Sequence, residues 1–408
     1  MKKQIRKLTE KEYDDFAILA NGAYPGLNAE KWLAAHINVS PDENLHGVYA
    51  SDKLVAGMRT FDFRMNFNGT EIAAGGVGMI AVDLLHKKER NAYQLMQYFL
   101  KEYDESGTNI VMLNPFKVTF YRKMGFGMGT KSYQFHMHPR EFINFRAKEH
   151  LKELSIEDRE KVRECYNRIY AITHGMTRRP NTERELGRPF QFGRVIGYIE
   201  DGNLKGYMVF SSEEEELHIH ELFFETPLVM KEFSTFLHSQ ADQFSNVIIN
   251  SNHDDIIHMV NSPESKETPM TDFPSNVEPK HIAHLGAGVM FRIINGQRFF
   301  KDLMEKGHRF GRETVSLKLS ITDEFFPQNS SAIIIDVVKG TLKEVRNEGI
   351  YDVELKINVS EFSSLVMGAV NLRTLQKWGL SELSESSYVR TLTSLFSTDN
   401  LPVVTKAF

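Results

Sequence analysis

Apolar residues recur at helical spacing between positions 92 and 103. Ala92, Leu95, Met96, Phe99, Leu100 and Tyr103 fall at i, i+3, i+4, i+7, i+8 and i+11, which is one face of an α-helix. Gly107 stands where that helix should stop. Before it, residues 75–83 (GGVGMIAVD) pass from small residues into a β-rich apolar run. After it, residues 110–113 (IVML) read as a short buried strand, and residues 118–124 as a brief helix ended by Gly125. The order strand, turn, helix, strand, short helix is that of an α/β unit.

The flanking pattern extends this unit. Residues 9–20 read as a helix with Thr9 as N-cap and Glu12 three residues on. Tyr24-Pro25-Gly26 breaks it, and residues 29–36, with Trp32, read as a second helix. Residues 47–67 alternate into strands turning at Ser51-Asp52-Lys53, and Asn68-Gly69 is a hairpin signal. Residues 129–137 read as the closing strand of this domain. Residues 141–154 are charged and read as a boundary helix. Residues 155–170 form an amphipathic helix capped by Ser155, and residues 174–189, rich in Arg, Gly and Pro, read as an irregular surface segment.

The first pattern then recurs. A hairpin (192–200, Asp201-Gly202, 204–211), a strand (217–224), a helix (227–244) and a strand (247–250) follow in order. Residues 252–284 are polar and proline-dotted and read as a connection. From residue 288 a strand enters a helix (VMFRIINGQRFFKDLMEKG). Strands at 313–322, 331–338 and 351–358 and helices at 360–367, 372–378 and 385–396 complete the chain. The expected domains are 1–150, 151–286 and 287–408.

Composition narrows the function classes. The 408 residues are 41% hydrophobic and 25% charged, with a net charge of −5, so nucleic acid is not an expected partner. The one cysteine, Cys165, excludes an intramolecular disulfide and lies on an apolar helical face with Val162, Tyr166 and Ile169. No apolar run approaches the ~18–20 residues of a membrane span, and the N-terminus lacks an apolar h-region, so a cytoplasmic protein is expected. His136 and His138 share a strand face but lack an evident third ligand, so no metal is expected.

Candidate chemistry sits at residues 85–92 (LHKKERNA). A strand feeding a helix through Lys87, Lys88 and Arg90 leaves free backbone N–H groups beside three cations, which favours an anion such as a phosphate. A solvated basic turn reads equally well on spacing alone. The order of parts resembles the acetyl-CoA core of the GNAT acetyltransferases, and residues 120–127 (FYRKMGFG) resemble that family's tyrosine-containing segment. Within GNATs the chain is similar to the Eis (enhanced intracellular survival) group. Residues 289–295 (VMFRIIN) and 362–371 (FSSLVMGAVN) resemble the sterol-carrier-like third domain of that group, and the chain ends in Phe408 as Eis chains end in phenylalanine.

The resemblance implies an α/β (α+β) fold: tandem GNAT-type domains followed by a sterol-carrier-protein-like domain. It implies an acetyl-CoA-dependent N-acetyltransferase acting directly on an amine of a polyamine or aminoglycoside-like substrate, as a homo-oligomer, in relatives a hexamer. Tyr121 would be the general acid and the terminal carboxylate of Phe408 the general base. Backbone of Ile80, Ala81 and Val82 would contact the pantetheine arm. Lys88, Glu89, Arg90, Asn91, Ala92 and Tyr93 would contact the pyrophosphate, with Phe116 and Lys117 nearby. Asp83 is an alternative base at the strand end. One departure stands out: the usual turn is Arg/Gln-x-x-Gly-x-Gly/Ala, and here Arg90 replaces a glycine while Glu89 adds a negative charge. The second copy's turn, Glu225-Thr226-Pro227-Leu228, has no Lys, Arg or Gly and is not expected to hold CoA. The competing readings are a catalytically weakened lipid or acyl-CoA binding protein and, behind it, aminoacyl transfer from aminoacyl-tRNA, which lacks a concentrated basic face.

Overall fold

The structure is a computed structural model that describes residues 3–29, 42–265 and 279–405. It divides into two compact units. The first comprises Met1–Thr130, His174–Thr177 and Gly288–Phe408; the second comprises Lys131–Thr173 and Arg178–Ala287.

The first unit is built on a seven-stranded sheet. Its spatial order is Lys3–Lys7, Glu43–Ala50, Lys53–Phe67, Thr70–Val82, Ile110–Leu113, Met290–Ile293 and Gly127–Met128. Asn68 and Gly69, with φ of 46° and 88°, make the tight hairpin between the third and fourth of these strands. The Asn91–Glu105 helix lays Leu95, Met96, Phe99, Leu100 and Tyr103 on one sheet face, against Val48, Met58 and Val77. Tyr103 fixes the docking, because its hydroxyl donates to the Phe61 carbonyl at 2.8 Å and its ring fills the space a side chain at Gly75 would need. On the other face, the Tyr13–Ala23 helix covers the end of the sheet near Ala81 through Phe16, Ala17 and Ala20. Thr9 and Glu12 form the expected start: the Glu12 carboxylate accepts from the Thr9 N–H at 2.8 Å.

The rest of that face is covered by the Gly296–Glu305 and Val359–Val366 helices, the first through Phe299 against Phe67 and the second on Met290–Ile293 and Gly127–Met128. These helices carry on their far side a second, five-stranded sheet ordered Thr341–Arg346, Ser331–Val338, Val315–Thr322, Val353–Asn358 and Ser381–Leu383. Alternate residues along Val315–Thr322 are buried, the period of a strand with one covered face. Leu317, Leu319, Ile333, Ile335, Leu355 and Ile357 share one core with Phe61, Phe63, Met65, Phe67 and Ile72 of the first sheet. The apolar face of the third domain is therefore consumed by packing.

Two strands lie elsewhere than expected. Lys131–Met137 does not close the first sheet; it pairs with Asn246–Ser251 and His284–Ala287 in the second unit. Its place is taken by Met290–Ile293, which pairs with both Ile110–Leu113 and Gly127–Met128. All four residues of Met290–Ile293 are buried, which a strand with two neighbours and two covered faces requires. Arg292 is tolerated there because Asp323 accepts from it at 2.7 Å and 3.0 Å.

The second unit holds its own seven-stranded sheet, ordered His284–Ala287, Lys131–Met137, Asn246–Ser251, Glu216–Phe224, Asn203–Glu213, Arg194–Glu200 and Leu151–Leu154. Helices Arg159–Tyr170 and Pro227–His238 pack on it. Residues 141–154 are not helical. They carry no apolar stripe, and Leu151–Leu154 instead pairs as an edge strand with residues 195–198. Residues 174–189 are less irregular than expected. Thr182 caps a helix, Glu183–Phe192, which buries Glu185, Leu186 and Pro189. Cys165 is fully buried and burial pushes its thiol up to about 12, which fits packing and not nucleophilic chemistry. His136 is hydrogen-bonded to Gln134 at 3.0 Å.

Candidate active site

The fourth strand of the first sheet makes the site. Thr70–Val82 pairs in parallel with Ile110–Leu113 only from Ala74 to Val77. Beyond Leu113 the chain leaves the sheet for the short Val118–Arg122 helix, so the strand edge from Gly78 to Val82 is left open on that side. The strand also bulges there. Gly78 lies opposite Arg59 and Ala81 opposite Gly57, so Met79 and Ile80 share Met58 as their partner. Met79 takes φ of 47°, the left-handed value that lets a bulge re-aim the backbone. Tyr24, just past the first helix, donates its hydroxyl to the Ile80 carbonyl at 3.0 Å. By sequence, the Tyr24-Pro25-Gly26 turn reads only as a helix breaker.

Past Val82, Asp83 caps a short 3-10 turn by accepting from the Leu85 N–H at 2.9 Å. That bond and Lys53 hold its carboxyl below the usual range, so Asp83 is a cap and a poor base. Residues 87–90 are all exposed. Lys88 and Arg90 both take left-handed backbone, φ 65° and φ 60°. Arg90 thus adopts the conformation that glycine would take without strain, at a cost of about 1–2 kcal/mol. It is the N-cap of the Asn91–Glu105 helix, and its side chain does not bond the first-turn N–H groups. The first helical bond is from the Gln94 N–H to the Arg90 carbonyl at 3.0 Å. Those first-turn amides and the dipole make an anion-binding end.

Glu89 does not oppose that end. Its carboxylate accepts from Lys3 at 3.1 Å and lies 3.3 Å from the His86 ring, and both lower its pKa. Lys3 also donates to the Asn91 side chain at 2.7 Å, while Asn91 donates to the His86 carbonyl at 2.9 Å. The turn is thereby braced by Lys3, a residue far from it in sequence.

Tyr121 stands across the open strand edge. It is 4% exposed, among Phe116, Phe120 and Phe126 at ring separations of 5.5, 5.1 and 6.1 Å. No hydrogen-bond partner of its hydroxyl occurs among the described residues, so its proton is uncommitted. Burial, and then the neighbouring Tyr24, push its phenol well up, so it stays protonated at neutral pH. The helix carrying it is clamped: Arg122 pairs with Glu361 at 2.6 Å, and Arg292 donates to the Gly125 carbonyl at 3.2 Å. Phe116 is 73% exposed and Lys117 precedes the helix as its N-cap. Tyr93 meets Phe325 of the third domain edge-on at 4.7 Å. Ile80, Val82, Phe120 and Tyr121 therefore share one apolar cluster beside the open strand edge, Phe116 lies against Tyr121, and the turn from Lys88 to Tyr93 follows the same strand in the chain. Phe408 and Trp32 lie outside the described residues.

The equivalent place in the second unit is filled. Glu216–Phe224 pairs in parallel with Asn246–Ser251 only up to Ile219 and bulges before Glu221. Arg179 donates there to Glu221 at 2.7 Å and to the Tyr207 hydroxyl at 3.1 Å, and lies over the Tyr166 ring at 4.0 Å. Glu225, at the strand-to-helix turn, pairs with Arg168 at 2.7 Å.

Family models agree with this arrangement. An acetyltransferase (GNAT) domain matches residues 4–129, a second acetyltransferase (GNAT) domain matches residues 174–285, and a sterol carrier protein domain matches residues 306–405. The chain is a tandem GNAT acetyltransferase. This GNAT protein shares its fold over the full length of both chains with three solved structures. One is a probable N-acyltransferase of unknown function from Enterococcus faecalis (TM-score 0.84, 16% identity). Another is a GCN5-related N-acetyltransferase from Anabaena variabilis (TM-score 0.82, 17% identity). The third is Eis1 from Mycobacterium abscessus (TM-score 0.76, 16% identity), so the layout is Eis-like. No curated protein sequence matches the chain. No helix among the described residues is long and apolar enough to cross a membrane.

Proposed function

We propose that this acetyltransferase moves the acetyl group of acetyl-CoA directly to an amine of a polyamine or aminoglycoside-like substrate. The observation that carries the reading is the open edge of Gly78–Val82, with a basic helix N-terminus at one end and an uncommitted buried phenol across it. We assign the backbone of Ile80, Ala81 and Val82 to the pantetheine arm and residues 88–93 to the pyrophosphate, with Phe116 and Lys117 alongside. Lys88 and Arg90 supply charge, and the first-turn amides supply directional donors.

In this reading the amine nitrogen attacks the thioester carbonyl carbon, the C–N bond forms and the C–S bond breaks. Tyr121 donates its proton to the departing thiolate. A phenol starting near pKa ~10 and raised by burial yields that proton only when real negative charge has built up on sulfur. The amine, with a solution pKa of ~10.4 if lysine-like, must lose a proton. We assign that proton to the carboxylate of Phe408, as the resemblance implies. Oligomeric assembly, hexameric in the Eis group, is part of the same proposal.

A lipid carrier would need the apolar face of the third domain free. Leu317, Leu319, Leu355 and Ile357 lie instead in one core with Phe61, Phe63 and Phe67. The test is acetylation of spermidine, kanamycin and a lysine peptide, followed by mass spectrometry. The wild type should acetylate at least one; Tyr121→Phe and a chain extended by one residue after Phe408 should lose most of that rate. Acetylation of none, or equal rates in all three proteins, would overturn the reading.

A further inference from the structure

Residues His174–Thr177 belong to the first unit, although the chain on either side of them belongs to the second. They occupy the edge left free where Lys53–Phe67 runs past Glu43–Ala50. Gly175 donates to the Asn66 carbonyl at 2.8 Å, Asn66 donates to the Met176 carbonyl at 2.9 Å, and Met65 bridges Thr177. Sheet edges attract another chain segment, and here one has been supplied. On its outer side this segment holds the C-terminal tail. Val403 donates its N–H to the His174 carbonyl at 2.8 Å. Gly175, at φ 84°, leaves room for Pro402 and Val403, which lie 2.9 Å from where its Cβ would be.

His174 is 3% exposed, and its two ring nitrogens have fixed roles. Nδ1 faces the Asn68 N–H at 3.1 Å, and Nε2 faces the Met367 carbonyl at 3.1 Å. A backbone N–H can only donate and a carbonyl can only accept. The ring is therefore neutral, with its hydrogen on Nε2. A proton on Nδ1 would break the bond from the Asn68 N–H, leave the Asn66 carbonyl as the neighbouring acceptor, and charge a buried ring.

We propose that His174 is a positioning residue whose neutral imidazole latches the tail at 401–405 onto the first unit and releases it on protonation. The purpose of the latch rests on the proposed function, in which this tail leads to the base. Two titratable groups face His174. The His308 ring also meets Phe67, tilted at a ring separation of 5.1 Å against 5.5 Å for His174, and opposes a second positive charge. Asp399, whose N–H bonds Asn68 Oδ1 at 3.4 Å, favours the charge. Burial is the largest effect and lowers the His174 pKa, so release falls below its ordinary 6.5.

The test is amide hydrogen exchange of the peptide spanning residues 400–405 in the full chain, corrected for intrinsic rates, at pH 7.5 and at pH 5. The wild type should be protected at least about tenfold at pH 7.5 and lose that protection at pH 5. His174→Gln, whose amide offers an acceptor and a donor without titrating, should stay protected at both. Val403→Pro removes the donor at the chain end, where it does not threaten folding, and should be unprotected at both. A tail unprotected at pH 7.5 in the wild type, or the same acid-induced loss in His174→Gln, would overturn the latch. These readouts need no cofactor, so they stand apart from the acetylation assay. The latch also predicts that His174→Gln removes an acid limb from kcat without changing KM for acetyl-CoA; an unchanged acid limb would contradict it.

Discussion

The Arg292 guanidinium donates to the carbonyl of Gly125 at 3.2 Å and pairs with Asp323, both side chains fully buried. Gly125 ends the helix that carries Tyr121, at φ 78°. A strand that the sequence pattern assigns to the third domain therefore braces the segment proposed to supply the acid. Breaking such a pair leaves a charge buried alone. Arg292→Met should cost about 3–5 kcal/mol in urea denaturation, and Arg292→Met with Asp323→Leu should recover much of it. Equal stability of the single variant and the wild type would show that the pair does not brace this region.

Tyr121→Phe should separate chemistry from folding. The hydroxyl has no hydrogen-bond partner to lose among the described residues, so stability should change by less than about 1 kcal/mol. Loss of a general acid should lower kcat by about 10²-fold or more. Thermal melting and initial rates of CoA release measure the two. A rate within a factor of two of the wild type would remove Tyr121 from the mechanism.

Arg90 predicts opposite signs for two measurements. Arg90→Gly relieves left-handed strain and should gain up to about 1 kcal/mol of stability. The same change removes a cation from the turn and should weaken acetyl-CoA binding. Arg90→Ala keeps the strain and loses the charge, so it should weaken binding with no gain in stability. Equal melting temperatures for the two variants would contradict the strain argument.

Two buried histidines set the acid limit of stability. His46, 1% exposed, and His308, 5% exposed, are lowered from 6.5 to about 4, chiefly by burial, with Lys7 and His174 respectively adding to it. Between those values the unfolded chain binds more protons than the folded one, so stability rises with pH. The contribution is full above about pH 6.5 and falls away as pH drops to about 4, on the order of 3 kcal/mol for each histidine. Urea midpoints at pH 7 and pH 4.5 should differ accordingly, and His308→Asn should flatten part of the slope. A midpoint independent of pH would refute the assignment.

Much of this architecture is legible in the amino-acid sequence. The 92–103 stripe has a period only a helix satisfies, and Asn68-Gly69 supplies the positive φ values its turn needs. The backbone proposed for the site and Tyr121 lie close in sequence, so motif order alone groups them. What stays hidden depends on distance. Lys131–Met137 and Met290–Ile293 read correctly as strands, but pairing partners across more than a hundred residues leave no local mark. The bracing of Glu89 by Lys3 and the bond from Tyr24 to Ile80 are long-range for the same reason. The 141–154 segment misleads because its charge density resembles a solvated helix, whereas Leu151–Leu154 is fixed by pairing with residues 195–198.

The turn from Lys88 to Tyr93 is proposed to hold a phosphate although Arg90 stands in the place of a glycine. Calorimetric titration of acetyl-CoA into the full chain tests it most directly. Micromolar binding is expected, weakened by Lys88→Ala and again by Arg90→Ala. No binding at millimolar acetyl-CoA, or binding that both variants leave unchanged, would contradict it.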